Sequence, residues 1–338
     1  LVIPPEFTPI ARKNIGFTAG IETSVAHPTW IQGCNKMDLT IFTSKFAEEV
    51  FKKTEFDVKD QPGKVLKLEK ESTTFFEGID TEVYYKTKTT DKVVIEKLSK
   101  IDEDFCFLFV GHWIQGGLGK DRKDVGMLIK TFYNTFKNKK NSPALVLKTS
   151  GASFSLLDRE DILKKIKILK DEYGKAKLPN IYLLHGDFTD EQMNELYNHD
   201  KIKAHISFTH GEGFGRPLLE AAQSAKPVIA PVPKDAFNSE WFVDSKENRW
   251  FTVNYLYASQ LMKDMYNNYD KYLVNSNKLQ IVTSNDFSYE KMRDILKEIV
   301  DKMLKGVPKK VELKLPKLQK VGDKPNDGEL KLPKLKRN

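Results

Sequence analysis

The chain has 338 residues, of which 40% are hydrophobic and 30% charged, and this length allows two domains with separate cores. The net charge of +8 is unevenly distributed, because residues 305–338 carry +7 of it and the preceding part is close to neutral. A nucleic-acid-binding core would carry its basic excess on the folded surface, so we expect no specific nucleic-acid partner.

The sequence also indicates the cellular compartment in which the protein is expected. No apolar run reaches the about 18 residues that a membrane-spanning helix needs, and no signal peptide opens the chain. The two cysteines, Cys34 and Cys106, provide neither a disulfide framework nor a zinc site. We therefore expect a cytoplasmic protein without a transmembrane segment.

The first hundred residues alternate short strands and helices, which predicts a parallel sheet with helices on its faces. The predicted strands lie at residues 14–17, 39–43 and 65–68. Helical runs are predicted within 23–35 and from Ser44, as the N-cap, to about Lys53. Residues 87–104 are polar and charged, and we expect them to connect two domains.

A clearer series of elements begins at Phe105. Strands are predicted at 105–110, 144–149, 180–184, 203–208 and 227–230, with a weaker one at 249–253. Helices are predicted between the strands at 124–138, 158–173, 189–198 and 217–225, with Asp158 and Thr189 as N-caps and Thr189 and Gln192 as a capping box. This succession of strands and helices is typical of a Rossmann-like domain.

The C-terminal part contains one further predicted helix and a tail. Residues 286–304 form an amphipathic helix. Beyond it, the segment ELKLPKL occurs at 312–318 and again at 329–335. Two copies with helix-breaking prolines cannot build a core, so residues 305–338 are predicted to be a disordered basic tail.

Residues 210–225, HGEGFGRPLLEAAQSA, carry the most informative pattern of the chain. A predicted strand leads into a loop with a glycine at every second position from 211 to 215, and Pro217 suits the first turn of a helix. Such a loop exposes backbone N–H groups to an anion. Glu212 and Glu220, eight positions apart, fall where doubly wound sheets bind ligands, and a carboxylate there can accept two ribose hydroxyls.

This stretch resembles the signature of the retaining glycosyltransferases of family 4, the glycosyl transferases group 1, which have the GT-B fold. The resemblance covers about residues 14–300. Other matching segments are Gly78-Ile79-Asp80, Phe105–Gly111 followed by Arg122-Lys123, Phe287-Ser288-Tyr289, and the pattern of Trp30, Asp38 and Ser44. The resemblance implies an α/β chain of GT-B class, with two Rossmann-like domains whose parallel sheets face each other across a cleft.

The resemblance also implies a division of the chain. Residues 1–104 would form the acceptor-side domain and linker, 105–285 the nucleotide-sugar-binding domain, and 286–304 a helix that returns to the first domain. Only 104 residues precede Phe105, and the early glycine-rich loop of the family has no match. Since the chain opens on Leu1, we expect that part of the N-terminal domain is missing from this sequence.

The family's roles can be placed residue by residue. Glu220 would hold the donor ribose. Glu212, with the backbone of residues 213–215 (Gly213, Phe214 and Gly215), would hold the transferred sugar. Lys123, with Arg122, would pair with the diphosphate, and this role also fits the charge, because fixed cations stabilise a leaving diphosphate.

Other candidates are less specific, and each also fits a purely structural role. The family usually has an arginine where this chain has His112; either His112 acts as a neutral donor, or Lys120 or Arg122 supplies the cation. Lys148 ends a predicted strand and His185 follows another, and both are further donor-site candidates. Glu22 and His27, in the loop after the first strand, are the acceptor-side candidates.

The sequence therefore predicts an enzyme, a retaining hexosyltransferase that moves a sugar from a nucleoside diphosphate sugar to a carbohydrate, lipid or protein acceptor. No side-chain cluster has metal-ligand spacing, so we expect no metal and no cofactor besides the donor substrate. The alternatives are a non-catalytic sugar-nucleotide-binding protein and a GT-B-like epimerase, for which no general acid/base pair is identified. The basic tail is expected to contact acidic surfaces.

Overall fold

A computed structural model describes residues 2–20, 22–59, 61–114, 116–151, 153–231, 241–243 and 249–307. The chain from Leu1 to Met303 forms one compact unit. The predicted basic tail lies outside the described residues, except for its first three residues.

The first part of the chain builds a small parallel sheet. Its elements in chain order are β1 (Ile15–Thr18), α1 (Pro28–Cys34), β2 (Leu39–Phe42), α2 (Lys45–Lys53), β3 (Phe56–Asp57), β4 (Val65–Leu66) and β5 (Glu71–Thr74). The sheet has the order β1-β2-β5, whereas β3 and β4 pair as an antiparallel hairpin. The strand predicted at 65–68 is therefore not in the parallel sheet. Its place is taken by β5, whose sequence ESTT has no apolar residue to signal it.

The second part contains a five-stranded parallel sheet preceded by one helix. The elements are α3 (Lys92–Ser99), β6 (Cys106–His112), α4 (Val125–Phe136), β7 (Ala144–Ser150), α5 (Leu156–Asp171), β8 (Ile181–Leu184), α6 (Asp190–Asn198), β9 (Ile202–Ile206), α7 (Arg216–Gln223) and β10 (Val228–Ile229). The strand order is β10-β9-β6-β7-β8. The segment expected to be a plain connection thus includes a helix, α3, which buries Val94 and Leu98.

The strand order creates a switch point between β6 and β9. The chain runs from β6 outwards to β8 and then crosses back to β9 on the other side of β6. In such sheets ligands bind beyond the carboxyl ends of the strands at this point. The loops that follow β6 and β9 therefore lie where a site is expected.

Alternate residues of the central strands fill two cores, as the period of a β-strand requires. Phe107 and Phe109 of β6 pack in one cluster with α4 and with a later helix, α8 (Tyr255–Asn267), and Cys106 and Leu108 pack in the cluster on the opposite face. A third cluster, around Phe42 and residues of α1 and α2, belongs to the first sheet. Both faces of the large sheet are covered, which keeps its strands rigid beneath the loops.

The C-terminal part adds a hairpin and three helices. They are β11 (Trp241–Val243), β12 (Arg249–Phe251), α8 (Tyr255–Asn267), α9 (Asp270–Asp286) and α10 (Tyr289–Leu304). The weak strand predicted at 249–253 is β12, which pairs with β11 outside the large sheet. The sequence analysis predicts α10 but neither α8 nor α9, which carry several exposed apolar side chains and so lack a clean polar face. Directly before α10, Ser288 forms a bridge with Ile79.

The predicted helix caps are correct at two of three positions. Ser44 accepts a hydrogen bond from the backbone N–H of Ala47, and Thr189 forms the full capping box with Gln192. Asp158 is not the N-cap of α5, because Ser155 holds that position. Asp158 lies in the first turn instead and accepts from the N–H of Gly151.

Candidate functional site

Two loops at the switch point present the candidate residues. The loop after β6 ends in a turn in which the N–H of Asp124 donates to the carbonyl of Asp121 over 2.9 Å. Asp124 adopts a left-handed conformation (φ 52°) immediately before α4. This turn places the side chains of Arg122 and Lys123 beside the second loop.

The second loop connects β9 to α7. Gly215 has φ 91° and is the N-cap of α7, a conformation that residues with a Cβ rarely adopt. Pro217 is the second residue of the helix, where its missing N–H removes no helical bond. The chain thus turns at Gly215, and the loop places Glu212 beside Arg122 and Lys123 of the first loop.

Glu212 joins the two loops through both carboxylate oxygens. Nζ of Lys123 lies 2.5 Å from Oε1, and Nη1 of Arg122 lies 3.2 Å from Oε2. Arg122 also donates to the carbonyl of Gly211 over 3.0 Å. Burial lowers the pKa of Lys123, while the Glu212 carboxylate acts in the opposite direction. The predicted catalytic residues Glu212, Lys123 and Arg122 are therefore in direct contact.

The first sheet contributes to the same cluster. Oε1 of Glu22, from the loop after β1, lies 3.5 Å from Nη1 of Arg122. Thr43, directly after β2, donates its hydroxyl to the carbonyl of Gly213 over 2.9 Å. A cavity of about 250 Å³ lies here, lined from both parts of the chain by Glu22, Ser44, Phe46, residues 209–214, Leu218, Pro231 and Phe251.

Phe214 fixes the glycine loop on its apolar side. Its ring centroid lies 6.1 Å from that of Phe76 and 6.4 Å from that of Phe287. These contacts hold the loop against the segments that flank the Ile79–Ser288 bridge. The side chain of Phe214 also lines the cavity, next to the Gly213 backbone.

Glu220 faces a second, smaller pocket rather than the cavity of Glu212. Its oxygens lie 3.3 Å from Nη2 of Arg216 and 3.3 Å from the hydroxyl of Tyr197. Burial raises the pKa of Glu220, although Arg216 and Tyr197 act against it. Asp80, Asp190, Tyr84 and Tyr289 are among the other residues that line this pocket. Glu212 and Glu220, the two glutamates of the E-x7-E pattern, thus line two different pockets.

His112, Lys148 and His185 follow one another along the carboxyl edge of the large sheet. Nδ1 of His112, the last residue of β6, lies 3.0 Å from the hydroxyl of Ser150. Lys148 lies within β7, not at its end, and donates to the carbonyl of Gly186 over 2.6 Å. Nε2 of His185 lies 2.8 Å from Oδ2 of Asp158. None of the three is among the residues that line the cavity.

Aromatic rings enclose the ammonium group of Lys148. Nζ lies 5.2 Å from the centroid of Phe154 and 4.9 Å from that of Phe188. Burial lowers the pKa of Lys148, and Asp187 opposes this shift. A cation held between two rings and next to the His185–Asp158 pair provides both stacking and hydrogen-bonding groups for a planar ligand.

Two candidates from the sequence lie away from the cluster. His27 is exposed and is the N-cap of α1, where Nδ1 accepts from the N–H of Thr29. Lys120 is exposed in the turn before Asp121, whereas Arg122 and Lys123 of the same loop contact Glu212.

The sequence analysis missed a buried group behind the ion cluster. Asp124 and His210 are 0% and 3% exposed, and Oδ2 of Asp124 lies 3.9 Å from Nε2 of His210. The hydroxyl of Tyr255 donates to the same oxygen over 2.7 Å. No local pattern signals this contact, because the three residues lie on different loops and a late helix.

Among the described residues, no group of three or more histidine, cysteine or acidic side chains is placed to hold a metal ion. No helix in the same ranges is long and apolar enough to cross a membrane.

Comparisons with known proteins identify the fold. No protein-family model and no curated protein match the chain. Among solved structures, Anabaena HepE in complex with UDP-glucose matches 81% of this chain at 17% identity and a TM-score of 0.54. Sucrose-phosphate synthase from Thermosynechococcus elongatus matches 82% at 13% identity and 0.56, and S. aureus TarM matches 86% at 16% identity and 0.53.

The chain spans 66%, 61% and 50% of the lengths of these three structures. They are glycosyltransferases of the GT-B class, and the parallel sheets of this chain match theirs. The predicted GT-B fold class is therefore confirmed.

Proposed function

We propose that this chain is a retaining hexosyltransferase of family 4 that moves a sugar from a nucleoside diphosphate sugar to an acceptor. The observation that carries the proposal is the contact of Lys123 and Arg122 with Glu212 at the switch point of a parallel sheet. Two adjacent cations in a partly buried position are suited to a diphosphate, whose negative charge grows as the sugar leaves.

The diphosphate would replace Glu212 as the partner of the two cations. Charge-assisted hydrogen bonds contribute about 1.5–3 kcal/mol each. Two of them would supply part of the ~8–23 kcal/mol by which enzymes lower reaction barriers. The loop before α7 adds backbone N–H groups at a helix N-terminus, which favour the same anion.

Glu212 and residues 213–215 would then hold the transferred sugar in the cavity. When Arg122 and Lys123 bind the diphosphate instead of Glu212, the Glu212 carboxylate can accept hydrogen bonds from sugar hydroxyls. We assign it a positioning role and not that of a covalent nucleophile, in agreement with the family resemblance. Retention of the anomeric configuration is part of this proposal.

The remaining donor contacts follow the edge of the large sheet. Glu220 would accept the ribose hydroxyls, because its small pocket opens beside α7. His185, Lys148 and His112 would contact the rest of the nucleotide, with the Phe154 and Phe188 rings beside the base. HepE has been solved with UDP-glucose, which makes UDP-glucose the first donor to test here.

The acceptor would approach from the side of Glu22. In this proposal residues 1–104 form the acceptor side, 105–285 the donor side and 286–304 the returning helix. His27 is the weaker acceptor-side candidate, because it caps α1 and does not line the cavity. The reaction needs no metal or further cofactor, since Arg122 and Lys123 supply the positive charge.

The test is sugar transfer by the full chain, followed by mass spectrometry with a panel of nucleotide sugars that begins with UDP-glucose. Lys123→Ala is expected to lower kcat/KM by roughly 10- to 150-fold, the equivalent of one charge-assisted bond. Glu220→Ala is expected to weaken donor binding. Lys164→Ala, on the exposed face of α5, is the matched control and should leave turnover unchanged.

The outcomes separate the proposal from its alternatives. Turnover that requires an acceptor and gives a product with the donor's anomeric configuration supports it. Donor binding without turnover indicates a sugar-nucleotide-binding protein, and acceptor-independent isomerisation of the sugar indicates an epimerase. Unchanged donor affinity in Glu220→Ala would remove the ribose assignment.

A further inference from the structure

A buried layer lies directly behind the two cations, and the proposed reaction leaves it without a role. Nδ1 of His210 lies 2.7 Å from the carbonyl oxygen of Phe251. Because a carbonyl oxygen only accepts, Nδ1 carries a proton. Nε2, on the other side of the ring, then faces Oδ2 of Asp124 at 3.9 Å and has no hydrogen-bond partner among the described residues.

The same two residues hold the loops of the candidate site in place. The backbone N–H of His210 donates to the carbonyl of Arg122 over 2.8 Å. The imidazole ring stacks on Trp250, with 5.6 Å between centroids. Asp124 is in turn held by the hydroxyl of Tyr255. The pair thus connects the Arg122–Lys123 turn and the glycine loop to one wall formed by residues 250–255.

The charges in front of this layer cancel. Arg122 and Lys123 contribute two positive charges, and Glu212 and Glu22 contribute two negative charges within 3.5 Å of them. A diphosphate diester brings two more negative charges into this neutral cluster. An additional proton on a nearby group would offset part of that charge, because electrostatic interactions are strong where water is excluded.

Few groups around the layer can accept that proton near neutral pH. His205 is fully buried, and burial together with Lys123 lowers its pKa to about 3. Burial raises the pKa of Tyr255, so it keeps its proton. Burial also raises the pKa of Asp121, although the backbone N–H groups of Val125, Asp124 and Lys123 oppose the shift.

Asp124 differs from these groups. Burial raises its pKa to about 6, with a smaller contribution from Asp121, while Tyr255 and His210 act in the opposite direction. Its carboxyl faces Nε2 of His210, which has no hydrogen-bond partner among the described residues.

We propose that His210 and Asp124 are positioning residues that hold the Arg122–Lys123 turn for a diphosphate and take up one proton from solvent when it binds. This inference rests on the proposed function. In the bound state the proton resides on the Asp124 carboxyl, which faces Nε2 of His210, and the pair becomes one unit more positive. It then supports the anion electrostatically through the turn without touching it.

The experiment is calorimetry of UDP-glucose binding to the full chain between pH 6 and 8, in buffers of different ionisation enthalpy. The diphosphate of UDP-glucose does not titrate in this range, so any proton uptake belongs to the protein. We expect uptake approaching one proton and an affinity that falls up to tenfold per pH unit. Asp124→Asn keeps an oxygen for Tyr255 but cannot titrate, so it should abolish the uptake.

A purely structural role would lower stability but leave the proton count unchanged. Proton uptake that came from Lys123 instead of Asp124 would likewise persist in Asp124→Asn. Asp171→Asn, at the exposed end of α5, is the control and should behave as wild type. Proton uptake that persists in Asp124→Asn, or binding by wild type without uptake, would overturn the proposal.

A second measurement separates this inference from the proposed function. Urea unfolding of the unliganded wild type, compared with Asp124→Asn, should show a contribution to stability that is lost as the pH rises from 3.8 through about 6, because burial raises the pKa of Asp124 in the folded chain. The same pH dependence in both proteins would refute the assignment of the proton to Asp124. Absence of UDP-glucose binding together with a pH dependence that Asp124→Asn removes would instead count against UDP-glucose as the donor and against the assignment of the cations to it.

Discussion

Nζ of Lys123 lies 2.5 Å from Oε1 of Glu212, although the two residues are 89 positions apart in the chain. One comes from the loop after β6 and the other from the loop after β9, which the strand order places side by side. The lysine side chain is 8% exposed. A buried ammonium depends on its partner, so this contact links the stability of the site to its charge balance.

A double-mutant cycle would measure that dependence. Glu212→Ala leaves the Lys123 ammonium buried without its carboxylate and should cost about 3 kcal/mol. Combining it with Lys123→Met, which removes the buried charge, should recover a large part of the loss, with a coupling energy of about 2 kcal/mol. Urea unfolding at pH 7 provides the values. Additive effects of the two substitutions would show that the contact contributes nothing to folding.

Glu220 should make stability depend on pH. Burial raises its pKa above the 4.5 of an unfolded chain, so folding favours the protonated form. That contribution is present below pH 4.5 and is lost as the pH rises through the raised pKa. Glu220→Gln, which cannot ionise, should therefore have a higher Tm than wild type at pH 7, and the difference should shrink toward pH 4.

The matched control for Glu220 is Glu160→Gln, on the exposed face of α5. Its Tm should follow that of wild type across the range. A Glu220→Gln protein less stable than wild type at pH 7 would mean that the bonds to Arg216 and Tyr197 outweigh the cost of burial.

Gly211 should tolerate no side chain. A Cβ at this position would lie 2.6 Å from Cβ of Glu22 and 3.0 Å from its carbonyl oxygen. Gly211→Ala must therefore push the glycine loop away from the first sheet, at a cost of about 1–3 kcal/mol, and should weaken UDP-glucose binding. At Gly117 the nearest atom is Cδ of Lys120 at 3.8 Å. Gly117→Ala should stay within about 0.5 kcal/mol of wild type, and equal effects at both positions would refute the steric argument.

Much of the site could be predicted from sequence because its signals are local. The strand, the glycine loop and Pro217 determine where α7 begins, and Glu212 and Glu220 have fixed positions relative to that start. The resemblance implies a place for Lys123 beside the donor, and its charge suits a diphosphate. Its burial and its contact with Glu212 depend on the strand order, which no local pattern encodes.

The missed features depend on contacts between distant segments. β5 is polar and is a strand because it pairs with β2 and because Glu48 of α2 accepts from Ser72 and Thr74. In the sequence, Asp124 and His210 resemble ordinary loop residues. Asp124 is held by the hydroxyl of Tyr255, which follows it by over 130 positions. Glu220 lies in a pocket separate from the cavity of Glu212, and its contact with Tyr197 of α6 depends on packing that the sequence pattern does not encode.

Glu22 should compete with the donor for Arg122. The two side chains come from different sheets and lie 3.5 Å apart, each about 30% exposed. A diphosphate that binds Arg122 must displace this carboxylate. A partly exposed ion pair of this kind contributes about 0.2–1 kcal/mol. Glu22→Gln should therefore tighten UDP-glucose binding up to about fivefold at low salt, with a smaller gain at high salt as screening weakens the pair.

The control for this competition is Glu49→Gln, which removes an exposed carboxylate paired with Lys53 on α2, outside the cavity. Calorimetry at two salt concentrations distinguishes the variants. A Glu22→Gln protein with weaker donor binding would assign Glu22 to holding Arg122 in place for the diphosphate. In that case the carboxylate cooperates with the donor, and the acceptor would have to be recognised by other groups of the first sheet.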